Sequence, residues 1–337
     1  MRPLFADPKT DLVFKRIFGN ERHKDLLIAL LDSLLELDDA HRIADLEYLA
    51  PEQVPAVQGL KSSIVDVKCV DVRGVRYVVE MQVLNVEGFE KRIVYNLCKA
   101  FTSQLGVGED YPTLNDVVAV TICDFVLWPE AAPPHVPMLS RWSMREEKTG
   151  ARGLSQLRYA FMELPKYKGG AAPESTVDRW AYFFRETAHL KSVPPALSEG
   201  PYARALEVAR SSGFTPEEWE AYDRAKIAEQ DARGALSLAE KTGRAEGRAE
   251  GRAEGRAEGE AQGRAEELRA AILDLCELLD IEPTPEQRDA LAALDEPALR
   301  SLKALLKRER RWPASPPGKS GKSGRGSGGK GGGESEE

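Results

Sequence analysis

From Gly243 the chain repeats the tetrapeptide Gly-Arg-Ala-Glu, which starts again at Gly247, Gly251 and Gly255, is varied as Gly259-Glu-Ala-Gln, and resumes at Gly263. On a helix a four-residue repeat advances only about 40° per unit, so Gly and Ala wind as smooth stripes and no face is apolar enough to build a core. Opposite charges lie two residues apart and i,i+4 neighbours carry like charge, so the usual helix ion pairs are missing. Each interior Gly costs about 1 kcal/mol. The segment is therefore either a marginal helix packed closely against a partner or a flexible spacer. A globular fold has to be built elsewhere.

That leaves residues 1–190, which hold most of the aromatics, as the folded domain, and 191–238 as a helical connector ahead of the repeat region 239–267. In 268–312 the stripes Ile272, Leu275, Leu278, Leu279 and Leu299, Leu302, Leu305, Leu306 predict a small helical segment. Its core is undersized, which points to homo-oligomerisation through this region. Residues 313–337 are Gly, Ser, Lys and Pro, the composition of a disordered tail.

At 42% hydrophobic residues the 337-residue chain can bury at least one real core. No apolar run approaches the roughly 18 residues of a membrane span, and the N-terminus lacks the apolar stretch of a secretory signal. A cytoplasmic protein with no membrane partner is expected. Cys69, Cys98, Cys123 and Cys276 show no Cys-x-x-Cys spacing, and four scattered histidines suggest no metal cluster. The net charge of -8, with acids outnumbering bases over residues 1–137, argues against coating nucleic acid by bulk electrostatics. Any DNA contact must be focused locally or helped by a metal.

Within the folded domain, Val13, Phe14, Ile17 and Phe18 sit at helical spacing, as do Leu26, Leu27, Leu30, Leu31, Leu34 and Leu35. A short strand is expected near residues 45–49. The period then changes to two over Ser63 to Asp71 and Val75 to Leu84, joined by Val72-Arg73-Gly74. A three-residue loop pairs Asp71 with Val75, Lys68 with Val78, Asp66 with Glu80 and Ile64 with Gln82, whereas a two-residue loop would set Asp66 against Met81. The first is favoured, because two carboxylates about 5 Å apart repel unless something positive lies between them, and a divalent cation meets that need. Val65, Val67, Val79, Met81 and Val83 fall on the opposite, apolar face. Ile93, Leu97, Phe101 and Leu105 then mark an amphipathic helix over 87–106, with Arg92, Asn96, Lys99 and Ser103 as an outer polar stripe. Residues 115–125 read as a buried strand. The order predicts an α/β fold: a mixed β-sheet flanked by helices, with a helical C-terminal extension.

The pattern Asp66, thirteen residues, Glu80-Met81-Gln82 across a hairpin resembles the PD-(D/E)XK phosphodiesterase site, with Gln at the usual Lys position. Further motifs join it: Asp7-Pro-Lys-Thr-Asp11-Leu-Val-Phe14-Lys15-Arg-Ile-Phe18-Gly19, Arg92-x-x-Tyr95 with Lys99 and Gln104, Gly108-x-x-Tyr111, and Met162-Glu163-Leu164-Pro165-Lys166. Together, over roughly residues 7–190, they resemble the recombination-promoting nuclease and transposase family of that superfamily. The resemblance implies a restriction-endonuclease-like core with Asp66 and Glu80 as ligands of Mg²⁺ or Mn²⁺. It assigns Gln82 to orienting water or phosphate, although Gln cannot carry charge or act as an ordinary base.

Several further residues have two readings. Lys68 supplies a relocated cation or is an ordinary strand lysine. Asp11 is a further acid near the metal or an acid satisfying a helix N-terminus. Lys15, Arg92 and Lys99 contact phosphate or form a solvated face, Tyr95 borders both arcs, and Gln104 on the apolar arc should hydrogen-bond inside, towards the site. The resulting expectation is a Mg²⁺-dependent DNA endonuclease of low sequence specificity with a link to recombination or mobile elements. The alternative is a catalytically silent, oligomeric binding or regulatory protein on the same fold.

Overall fold

The computed structural model describes residues 2–53, 63–129 and 135–313. The 314–337 part of the expected tail lies outside the described residues. In chain order the elements are α1 (Asp11–Phe18), α2 (Lys24–Leu35), β1 (Leu46–Leu49), β2 (Glu52–Gln53), β3 (Ser63–Ile64), β4 (Val67–Asp71), β5 (Arg76–Gln82), α3 (Phe89–Thr102), β6 (Val117–Cys123), β7 (Leu139–Ser143), β8 (Leu157–Glu163), α4 (Thr176–Glu186), α5 (Gly200–Val208), α6 (Pro216–Leu278), α7 (Pro285–Ala293) and α8 (Glu296–Glu309). Residues up to Ala235 form one compact unit and those from Leu236 a second.

In the first unit a mixed six-stranded sheet runs β1-β4-β5-β6-β8-β7. β5, β6 and β8 are parallel, β1, β4 and β5 pair antiparallel in turn, and β7 is antiparallel to β8. This is the α/β architecture expected, and the parallel centre explains why β6 is buried at every position: helices cover both faces. Val67, Val79, Met81, Val118, Val120, Ile122, Ala160 and Met162 pack with α1, α2, α4 and α5. Val78, Val117, Ala119, Cys123 and Phe161 meet the apolar stripe of α3, namely Phe89, Ile93, Leu97 and Ala100. The first core is sealed by an aromatic cluster in which Trp180 lies edge-on to Phe18 at 5.7 Å and to Phe183 at 5.6 Å. Trp142, on the edge strand β7, is 40% exposed and leans on Trp128.

The register that matters for function is set at the β4–β5 loop. Gly74 adopts φ +85°, which favours glycine whatever the space, and a Cβ there would also press on the Asn115 side-chain amide at 2.6 Å. The buried Asp71 carboxylate accepts from the backbone amides of Arg73 and Val75 and from the Arg73 guanidinium, which fixes a three-residue connection. Val67 therefore faces Val79 and Lys68 faces Val78.

The second unit contains the repeat, which is helical within α6 rather than an unstructured spacer. Its residues are exposed from Gly243 to Arg264. Among the described residues its i,i+4 ion pairs involve glutamates outside the regular tetrapeptides, as between Arg256 and Glu260, and Arg264 pairs with Glu296 of α8. Ile272, Cys276, Leu291, Leu299, Leu302 and Leu306 make a small core from the end of α6 with α7 and α8.

Candidate active site

Antiparallel pairing of β4 with β5 ends at Val67 opposite Val79. One residue earlier Asp66 leaves the ladder, and its Oδ2 accepts the Met81 amide at 2.7 Å, a carboxylate standing where a backbone carbonyl would otherwise serve. The break lets the preceding residues turn away. Ile64 pairs with Glu52 of β2, not with Gln82 as a continuous strand would require, and Val65 packs into the α3 core rather than the opposite one. Ile64 nevertheless stays at the rim of a cavity of about 790 Å³ that also holds Asp66, Glu80, Gln82, Arg92, Tyr95 and Asn96. The hairpin thus brings the two acids and the glutamine of the expected site to one cavity.

α3 covers this end of the sheet, and Arg92 and Asn96 of its polar stripe reach the β5 side chains. Arg92 Nη2 donates to Gln82 Oε1 at 2.6 Å, and Gln82 Nε2 donates to the Leu84 carbonyl at 2.9 Å. One turn further on, Asn96 Nδ2 donates to Glu80 Oε1 at 2.8 Å. Asn96 is only 2% exposed, so the sequence-based outer stripe is corrected at this residue, which turns in to the Glu80 carboxylate, while Arg92 stays exposed and reaches Gln82. Helical periodicity marks a polar arc without saying what it faces. A signal was present in the spacing, since residues four apart on a helix span about 6 Å and residues two apart on a strand about 6.7 Å. Arg92 and Asn96 can thus address Gln82 and Glu80 rung by rung.

The electrostatics follow from burial. Desolvation pushes the Asp66 carboxyl up to about 7, opposed by the Met81 amide and the Lys15 charge and reinforced by Glu80 and Asp11. Glu80 is also raised by burial, while the Asn96 hydrogen bond and the Arg92 charge pull the other way. Among the described residues no group of three His, Cys, Asp or Glu is arranged to hold a metal. Two carboxylates, each with one oxygen outside the hydrogen bonds just described, still suit Mg²⁺, which keeps several waters and takes one or two protein carboxylates.

The other candidates are placed as follows. Asp11 and Lys15 pair with each other at 2.7 Å, and Asp66 feels both charges. Lys68 is buried but does not line the cavity; burial and the charges of Arg76 and Lys99 push its ammonium pKa down. Lys99 donates to the Gln53 carbonyl and lies 5.4 Å from the Tyr95 ring centre. Gln104 turns away from the site, exchanging hydrogen bonds with the backbone of Asn115 at 2.9 and 3.1 Å because that loop offers a free carbonyl and amide.

Motifs outside the cavity hold the frame. Glu163, fully buried, accepts from the Leu127 and Trp128 amides and from Lys166. Asp7 meets Lys226 and Lys9 meets Asp124, tying the N-terminal motif to the start of α6 and the end of β6. The first turns of α6 therefore belong to the same framework as the sheet. The family model for PD-(D/E)XK nuclease family transposases matches residues 8–239, reaching those turns, while no curated protein and no solved structure matches. With the greater part of the chain matched and the sheet, hairpin and cavity as described, the chain belongs to the PD-(D/E)XK nuclease family transposases.

Proposed function

We propose that the protein is a Mg²⁺- or Mn²⁺-dependent DNA endonuclease of low sequence specificity, linked to recombination or mobile elements and acting in the cytoplasm. The observation that carries this reading is the pair of carboxylates, Asp66 half-buried and Glu80 buried, whose described hydrogen-bond partners are neutral amides and which line a cavity bordered by Arg92. Asp66 and Glu80 would hold the ion. When bound, it supplies Lewis acidity and lowers the pKa of a water. Arg92 keeps the Gln82 amide oriented at the cavity wall, and Arg92, with Lys15 and Lys99 beyond it, offers charge to phosphate oxygens. Asp11 contributes negative potential at Asp66, while Tyr95 presents a half-exposed ring to the bound strand. Self-association through 268–312 belongs to the same proposal and rests on the small core of that segment. No helix among the described residues is long and apolar enough to cross a membrane.

A catalytically silent binding protein on this fold has one observation in its favour: the Gln82 amide is engaged at both ends, by Arg92 and by Leu84. Nicking of supercoiled plasmid decides between the two readings. The parent chain should nick with Mg²⁺ or Mn²⁺, and Glu80→Ala should lose more than the roughly 100-fold that an outer-shell loss costs. Full metal-dependent nicking by Glu80→Ala would remove the site, and a parent chain that binds DNA without nicking would favour the silent reading.

A further inference from the structure

Asn96 has two features that packing does not explain. Its Nδ2 donates to Glu80 Oε1, while its Oδ1 is buried and has no hydrogen-bond partner among the described residues, although the residue lines the same cavity. Turning the amide over gives no relief while Glu80 is ionised, because Oδ1 would then meet the carboxylate, acceptor against acceptor. A buried acceptor left empty beside a carboxylate is normally destabilising, and an apolar side chain of equal volume would avoid it.

We infer that Asn96 is a positioning residue for the ion: it locks Glu80 by one oxygen, leaves the other free towards the cavity, and presents Oδ1 to a proton-bearing ligand. The inference rests on the proposed site at Asp66 and Glu80. A hydrated divalent cation carries hydrogen-bond donors into that cavity, so the orphaned oxygen acquires a partner when the site fills. Arg92 does not substitute, since its described hydrogen bond goes to Gln82, one rung away. Nor does Lys99, whose ammonium donates to the Gln53 carbonyl.

The test is Mn²⁺ binding to the full chain by calorimetry, comparing the parent with Asn96→Leu, which keeps the volume and removes both donor and acceptor, and with Asn96→Ala and Glu80→Ala. Circular dichroism checks the fold. Asn96→Leu should weaken Mn²⁺ binding roughly 10- to 100-fold, the usual effect of losing a ligand's supporting hydrogen bond. The Mn²⁺ concentration for half-maximal nicking should rise by the same factor, with the rate largely recovered at saturating Mn²⁺. A residue that merely fills space would leave Mn²⁺ affinity unchanged in Asn96→Leu, and that result overturns the inference while Glu80→Ala still loses binding. If Asn96→Leu does not fold, the same readout on Asn96→Ala decides. A parent chain that binds no Mn²⁺ takes down the reading of the site and this inference together.

Discussion

α3 and the repeat stretch of α6 both carry charged residues at fixed helical intervals, yet they put them to opposite use. In α3 the intervals of four are matched by intervals of two on β5, so Arg92 and Asn96 dock on Gln82 and Glu80, and a polar arc becomes the wall of a cavity. In the repeat no such partner spacing exists among the described residues, and every side chain from Gly243 to Arg264 is exposed. A polar stripe is a site or a solvated surface according to what the neighbouring element repeats, and one helix's own pattern does not decide it.

The largest expected contrast is in stability against pH. In the chelated protein Asp66 titrates near 7 when folded, against about 3.9 in an unfolded chain, so between these values the folded state binds more protons. Stability of the first unit should therefore fall as pH rises from about 4 to about 7, by up to about 4 kcal/mol from this group. Asp66→Asn should remove this contribution to the slope in thermal melts, while Glu80, also raised by burial, keeps its own in the same direction. Carboxylates held below their usual range, such as Asp45 and Glu229, slope the other way. The difference between parent and Asp66→Asn is therefore what is read, and a difference that does not change between about pH 4 and about pH 7 would refute the raised Asp66 carboxyl. The helical signal of the repeat should not follow that slope.

Next in size is the cost of α3's grip. Arg92→Ala removes a charge-assisted hydrogen bond to Gln82 and should lower kcat/KM for plasmid nicking about tenfold, whereas Arg248→Ala in the repeat should leave it within error. Equal effects of the two substitutions would erase the comparison. The smallest effect lies in the repeat itself. Gly247→Ala, Gly251→Ala and Gly255→Ala each meet open space and should each strengthen the helix by about 1 kcal/mol, visible as a higher helical melting point with nicking unchanged.

How much of this was legible in the chain follows from how local each cause is. Helices α1 and α2 and the buried strand β6 announce themselves through apolar spacing alone. The β4–β5 register is readable because Gly74 limits the loop and the alternation of faces does the rest. The break at Asp66 is not readable from period two, since it depends on one carboxylate taking the place of a backbone acceptor. It also carried Ile64 away from Gln82 and Val65 to the other core. Asn96 escaped because periodicity cannot say that a polar arc faces inward. Gln104 misled for the complementary reason: an amide on an apolar arc does need an internal partner, and the backbone of Asn115 lay nearer than the site.

The hydrogen bond from the Met81 amide to Asp66 has one more consequence. The main chain of β5 runs through the middle of the sheet, and at this residue its amide hydrogen is guarded by a side chain instead of a neighbouring strand. That single N–H is wired to the chemistry of the cavity in a way its neighbours Val79 and Val78, tied into the strand ladders, are not. The backbone resonance and solvent exchange of Met81 therefore form a built-in meter of the carboxylate, readable with neither substrate nor label at the site.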